Sequence, residues 1–513
     1  MMNYRRIGFV LLIGWVFFTA CGTGKYAQQT IAGRPARYAP EQLKDDIRLL
    51  KTILEANHPS LYWYTPKDTL DNYFATAINS ITDSLTEFQF RNRVAWVISK
   101  IRCGHTSVRF SKAYSKRLRN VRAAQFPLLL KTWGDSIIVM GSAFKNDSIF
   151  KRGTVITSIN GYGNRQLLDS MFQFISTDGY SDNFKSQLCS FNFAGYYYNA
   201  YGPSEKYLVG YIDAAGAEQT ALIKQYKPPV RDSTAKQDSL AKKEVPAQPV
   251  KRQEKPSPSI LAKRSLTIDT ANSTAYMRLA TFSNARLRRF FRRSFKTLRQ
   301  QNIQNLVIDL RENGGGNIGN SINLQKYLSA TPFRVADTVA APSRNLKYKK
   351  YLHPAWIYWF AMHFTGRRDD DGRIHYRWYE RHLFSPKEKN HFNGQVYLVQ
   401  GGYTFSAATM LVSGLKGQPN VTVVGEETGG GSYGNSAVYL PEITLPNSRI
   451  RVTMPVYRVV INEKAIGTKG RGILPDVSTP PSSLAIRQNI DPKMQMVLRM
   501  IKEKNKTHLA GKE

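Results

Sequence analysis

Residues 395–411 read QVYLVQGGYTFSAATML. An apolar run from Val396 to Val399 meets the Gly401-Gly402 turn, and a helical stretch opens near Ser406. A continuous apolar strand feeding a helix through a tight turn is the repeating unit of an α/β sheet covered on both faces. The same geometry can expose a serine hydroxyl near the positive end of a helix, where an alkoxide is favoured. On this stretch alone, a serine that merely caps the helix competes with that reading.

About 90 residues upstream, residues 306–317 read LVIDLRENGGGN, a buried strand followed by three glycines. Glycines there let backbone N–H groups approach an oxyanion or phosphate closely. The Gly-Lys-Ser/Thr ending of a phosphate loop is missing, which argues against nucleotide binding. Just before this strand, residues 286–299 place Leu287, Phe290, Phe291, Phe295 and Leu298 among seven basic residues. The periodicity predicts a crossover helix packed on the sheet, in preference to a membrane or nucleic-acid stripe. From Leu266 to about Ser483, strands and helices alternate.

The whole chain has 513 residues, 42% of them hydrophobic, and a formal charge of +36. At about 150 residues per domain this is room for roughly three domains. Disulfide miniproteins, collagenous chains and wholly disordered chains are excluded. After the N-terminus no apolar run approaches the roughly 20 residues that span a bilayer. Residues 1–20 combine Arg5 and Arg6 with an apolar run from Ile7 to Phe18, the pattern of a secretory signal. Thr19-Ala20-Cys21 resembles a bacterial lipobox, with Phe18 where leucine is usual. That resemblance implies lipid on Cys21, a tether to residue 36, and a place in the cell envelope on a bacterial membrane. Cys103 and Cys189 remain and allow one disulfide without requiring it. Outside the cytoplasm a basic surface meets headgroups or acidic polymers more readily than nucleic acid, which is not expected as a partner.

Residues 37–125 read as a helical region. Leu43, Ile47, Leu50 and Leu54 mark its first helix, a second starts near Pro66, and Phe90, Val94, Val97, Ile98 and Ile101 mark the third. Gly104 follows as a cap, leaving His105 just past a helix end. Residues 126–226 turn β-rich, and RGTVITSING (152–161) followed by a helix from Gln166 resembles a PDZ-type peptide-binding module. Residues 227–262 form a linker or insertion: its first 33 residues hold six prolines, eight basic and four acidic residues. A catalytic core over 263–490 and a C-terminal helix and tail over 491–513 complete the division. No internal repeat is visible.

DLRENGGG, then GGYTFSAATM, VVGEETGGG (423–431) and GILPDV (472–477) occur in the order found in tail-specific, C-terminal-processing serine peptidases. The resemblance covers roughly residues 40–485. It implies a mixed α/β fold: a crotonase-like catalytic core with an N-terminal helical region and a PDZ-like domain. It matches Ser406 to the nucleophile, and the backbone N–H of Ala407 with that of Gly314 or Gly315 to the oxyanion hole. Such donors are worth on the order of 3 kcal/mol each.

The base departs from the commoner pattern. Many members use a lysine after GE-x-T; here Gly431 stands there, and no lysine occurs between Lys416 and Lys464. The other branch resembles the tricorn core and takes a histidine from the N-terminal part, which matches His105, and a glutamate, which matches Glu463. A neutral imidazole can take the serine proton and return it to the leaving amine. A serine precedes the histidine in that branch where Gly104 stands here, so Thr106 is a candidate relay. His58 reads as a structural turn. His353, His363, His375, His382 and His391 lie in an aromatic, basic insertion (335–392) without metal spacing, and RRDDDGR (367–373) reads as a solvated turn rather than a calcium loop. The expected function is an envelope serine endopeptidase acting on polypeptides near C-termini or in unfolded segments, without metal or cofactor. The alternative is a catalytically inactive peptide- or lipid-binding scaffold of the same fold. The sequence leaves the oligomeric state unknown.

Overall fold

The Val396–Val399 run lies inside a six-stranded sheet of the computed structural model, which describes residues 36–120, 125–228, 258–283 and 285–510. The expected signal and tether to residue 35, Cys21 with them, and most of the 227–262 linker lie outside the described residues. The strand order is Arg264–Asp269, Thr274–Leu279, Asn305–Asp309, Gln395–Gln400, Val421–Gly425 and Val477–Ser478. The first pair is antiparallel and the remainder parallel.

Side chains alternate between the two faces, as the period of a strand dictates. Leu306, Ile308, Val396 and Leu398 share one core with the helices Leu287–Gln300 and Ala407–Leu415. Val307, Tyr397 and Val399 share the other with Val497 and Ile501 of the helix Pro492–Ala510. The phenylalanine stripe is therefore core: Phe291 and Phe295 are fully buried, each stabilising the packed state by about 1.5–3 kcal/mol.

Three N-terminal helices, Pro40–Asn57, Lys67–Asn79 and Glu87–Ser99, bury the predicted apolar faces in a second core. The third starts on a capping box between Thr86 and Gln89. The chain then crosses to the core: Ser107–Arg109 pairs antiparallel with Arg451–Thr453. Residues 126–226 hold an antiparallel sheet of five strands in series, Leu128–Trp133 to Glu218–Lys224, with helices that include Asn164–Phe172 and a hydrophobic cluster of their own. Within 335–392 lie the exposed helix Ala355–Thr365 and a short hairpin, Arg367–Arg368 with Ile374–His375, whose turn is the RRDDDGR run. Among the described residues no helix is long and apolar enough to cross a membrane. Cys103 and Cys189 are both buried and free, so the disulfide that the sequence allows is not formed.

Candidate active site

Ser406 sits between the Gln395–Gln400 strand and the Ala407–Leu415 helix with φ 54° and ψ −123°. A non-glycine residue in that region stores on the order of 1–3 kcal/mol of strain, so its surroundings must hold it. Thr404 supplies much of that hold. Its hydroxyl donates to the Leu310 carbonyl at 2.9 Å and accepts the Gly401 N–H at 3.0 Å. Its carbonyl accepts the N–H groups of Gly429 and Gly430, both at 3.1 Å. The Phe405 N–H donates to the Asn313 carbonyl at 3.1 Å, which ties the nucleophile turn to the glycine loop. Although Ser406 occupies the N-cap position, its side chain makes no cap hydrogen bond. The capping reading of this serine is thereby corrected: the hydroxyl lies 3.1 Å from His105 Nε2.

His105 arrives from 301 residues away in sequence, carried by the loop after the Glu87–Ser99 helix and fixed by the Ser107–Arg109 strand pairing. Its ring packs obliquely on Phe405, centroids 4.9 Å apart, and Phe184 also stacks on Phe405 at 4.5 Å. This apolar packing disfavours the imidazolium, and burial pushes the His105 pKa down to about 4. The ring is neutral at pH 7 with a nitrogen available to the serine. A Cβ on Gly104 would meet Phe405 Cζ at 2.5 Å. The glycine that replaces serine before the histidine thus has a steric cause: the Phe405 ring fills the space.

Gly315 lies against the nucleophile, where an added Cβ would sit 2.7 Å from Ser406 Cβ and 3.1 Å from the Ala407 nitrogen. Its φ of 95° is one that side chains rarely adopt. The Gly315 N–H donates to Asn313 Oδ1 at 2.9 Å. Of the two glycines considered for the oxyanion hole, Gly314 is the one whose N–H has no acceptor among the described residues. The Ala407 N–H, first in its helix, is likewise without one, as helix starts leave it.

The structure does not bring Glu463 to the histidine. Glu463 is exposed, with its carboxylate accepting from Thr338 Oγ1 at 3.3 Å and its N–H donating to Asp337 at 2.7 Å. Among the described residues, the buried His105 Nδ1 has no hydrogen-bond partner. The Glu463 assignment therefore fails here because the segment Glu463–Thr468 is tied to the strand edge at Thr338. Thr106 is no relay either, since its hydroxyl is 2.9 Å from His58 Nε2. The Ser60 N–H donates to His58 Nδ1 at 3.1 Å, so Nε2 carries the proton and donates to Thr106. His58 is satisfied at both nitrogens and neutral, its pKa pushed down to about 3 by burial, a structural turn as its sequence implied.

Two residues escaped the sequence reading. Asp178 Oδ1 accepts the Gly104 N–H at 2.8 Å, and burial raises its pKa to about 7 despite backbone bonds from Gly104 and Gly431. It links the histidine loop to the VVGEETGGG loop, while its Oδ2 is buried with no hydrogen-bond partner among the described residues. Asn313, fully buried, donates from Nδ2 to the Leu279 carbonyl at 3.0 Å and accepts from Gly315. Asn313 stood inside a quoted motif with no distinguishing pattern, and nothing in STDGY (176–180) marks Asp178. A Cβ at Gly431, the position of the lysine in the commoner pattern, would sit 2.5 Å from the Gly434 carbonyl oxygen. Backbone packing leaves no room there for a lysine. No group of three or more His, Cys, Asp or Glu side chains poised to hold a metal occurs among the described residues.

Comparison with known proteins agrees with this architecture. Residues 273–479 match the sequence model of peptidase family S41. The chain is similar in fold to mature CPAF, at 14% identity and a TM-score of 0.62 over 90% of this chain and 98% of that one. Mature CPAF complexed with lactacystin gives 14% identity and a TM-score of 0.63 over the same shares. A photosystem II D1 C-terminal processing protease matches with a TM-score of 0.39 at 14% identity, over 88% of this chain and 96% of its own. No curated protein matches the chain.

Proposed function

We propose, from the premise that residues 273–479 are the core of a family S41 serine-type peptidase, that this enzyme cleaves polypeptides through Ser406 with His105 as its base. The carrying observation is the 3.1 Å approach of His105 Nε2 to the Ser406 hydroxyl. Neutral Nε2 accepts the Oγ proton as Oγ bonds to the scissile carbonyl carbon. The oxyanion that forms accepts hydrogen bonds from the Ala407 and Gly314 N–H groups. The imidazolium then gives its proton to the leaving amine as the C–N bond breaks, leaving an acyl-enzyme on Ser406. Water, deprotonated by His105, attacks the ester carbonyl and releases the acid and the serine. A low resting pKa keeps the base free, and the negative charge developing on the substrate favours its protonation during reaction.

The antiparallel sheet of residues 126–226 serves as a PDZ-like module that pairs with an extended peptide. A cavity of about 370 Å³ lined by Lys131, Arg152, Arg311, Lys493 and the Gly401-Gly402 turn lies between that region and the core. Lys493 is held by Glu426 and Arg311 by Asp309 and Asp491, whereas among the described residues Lys131 bonds the amide of Gln187 and Arg152 the carbonyls of Ile486 and Met140, neither in an ion pair, leaving cations for a peptide's terminal carboxylate. Lipid on Cys21 holds the enzyme in the cell envelope. The test is hydrolysis of an unfolded polypeptide bearing a free or an amidated C-terminus. The reading requires cleavage that Ser406→Ala abolishes and that falls on amidation; cleavage by Ser406→Ala refutes the nucleophile, and indifference to amidation refutes carboxylate recognition.

A further inference from the structure

The helix Ala355–Thr365, AWIYWFAMHFT, carries five aromatic rings besides His363. It is fixed to the body by few contacts: Met362 is fully buried, and the Tyr358 ring packs 5.8 Å from that of Tyr439. Ala355 also packs against the core that holds Met362 and the Trp359 indole N–H donates to Asn345 Oδ1 at 3.1 Å, but the large apolar side chains otherwise face water. Trp356 and Phe364 are each 71% exposed, Phe360 52%, Ile357 43% and Trp359 37%. Trp356, Phe360 and Phe364 recur every four residues and form one stripe, with Phe360 and Phe364 stacked 5.2 Å apart. So large an apolar surface in one short helix marks a contact site.

Its flanks identify the partner. Lys347, Lys349 and Lys350 precede the helix and Arg367 and Arg368 follow it, all exposed. None of the five forms an ion pair among the described residues; Arg367 donates only to the carbonyls of His363 and Gly366. Of the acids in the next turn, Asp369 holds Arg377 and Arg381 and Asp371 holds His375, while the exposed Asp370 forms no ion pair among the described residues. Over residues 344–381 there are nine Arg and Lys against four Asp and Glu, a net of +5.

We infer that this helix docks onto a bilayer containing anionic phospholipid, with Trp356, Phe360 and Phe364 in the acyl-headgroup boundary and the five flanking cations on lipid phosphates. Tryptophan with phenylalanine on a short, non-spanning helix, bordered by lysine and arginine, is the composition of an interfacial segment. A protein partner fits less well, because protein interfaces are depleted of lysine and a stable one covers about 800 Å² per side. Such docking is independent of lipid on Cys21 and would hold the core against the membrane surface rather than on a loose tether.

The test uses the full chain with Cys21→Ser and Phe364→Cys, labelled at residue 364 with an environment-sensitive nitrobenzoxadiazole; buried Cys103 and Cys189 stay in place. Phe364 is exposed, so the change removes its stacking on Phe360 but no buried contact, and Trp356→Cys provides a second reporter. On vesicles of phosphatidylglycerol and phosphatidylcholine the emission should shift to the blue, brighten at least twofold and be quenched by acyl-brominated lipid. Lys349→Glu with Lys350→Glu should at least halve that response. A label that stays water-like with these vesicles overturns the inference. So does an equal response to pure phosphatidylcholine, or a concentration-dependent blue shift without vesicles, which would assign the helix to a second copy of the chain.

Discussion

His105 faces Ser406 with one nitrogen and no described residue with the other: Nε2 is 3.1 Å from the serine hydroxyl, and the buried Nδ1 has no hydrogen-bond partner among the described residues. The ring is held instead by its loop and by the Phe405 face, so orientation here is a matter of packing and backbone anchoring. Phe405→Ala should therefore lower kcat by about 10- to 100-fold with little change in KM, because a slight misplacement of a base is costly. Steady-state kinetics on a fluorogenic peptide would check it, with circular dichroism to confirm folding.

The acidic limb of activity follows from the neutral base. The competent imidazole is the deprotonated one, and its pKa is pushed down to about 4 from 6.5. The profile of kcat/KM, which reports the free enzyme, should stay high from pH 7 down to about 5 and fall near pH 4. A fall centred near 6.5 would mean that His105 is solvated or is not the base.

Asp178 titrates in the opposite sense. Its folded pKa of about 7 lies above the ordinary 3.8, so between those values the folded chain binds more protons and stability falls as pH rises. His105 and His58 are depressed instead, so their contribution is present above 6.5 and lost as pH drops. Asp178→Asn, which can still accept the Gly104 N–H, removes the opposing contribution. The loss of stability from pH 6.5 to 5 should steepen by up to about 1.4 kcal/mol per pH unit, measured by urea unfolding.

Asn313→Ala leaves the Leu279 carbonyl and the Gly315 N–H buried without their partners. Each orphaned group costs about 1–3 kcal/mol. The variant should unfold at lower urea, and because Gly315 borders Ser406, kcat should fall more than the fraction folded explains.

Restoring the missing lysine should fail. Gly431→Lys forces a Cβ against the Gly434 carbonyl oxygen, so the variant should lose at least about 2 kcal/mol of stability. In the His105→Ala background it should not recover activity.

Much of this site was legible because it lies in short, uninterrupted motifs. The strand–turn–helix at 395–411 and the triple glycine at 314–316 announce their geometry through local pattern, and the crossover helix through its phenylalanine stripe. His105 was legible only as a cap-following histidine joined to a family resemblance; the Ser107–Arg109 pairing that delivers it is a long-range contact with no local signal. Glu463 shows the cost of carrying a residue over by resemblance, since the sequence says nothing about the Asp337 and Thr338 contacts that hold it elsewhere. Asp178 was invisible because burial, not residue type, makes a loop aspartate unusual.

The central claim is that His105 activates Ser406. Treating the full chain with a serine-directed fluorophosphonate and locating the adduct by peptide mass spectrometry tests it most directly. The account predicts an adduct on Ser406 in the native enzyme and none in folded His105→Ala. An adduct that forms as fast without the imidazole, or none on the folded native enzyme across the pH range, would contradict it.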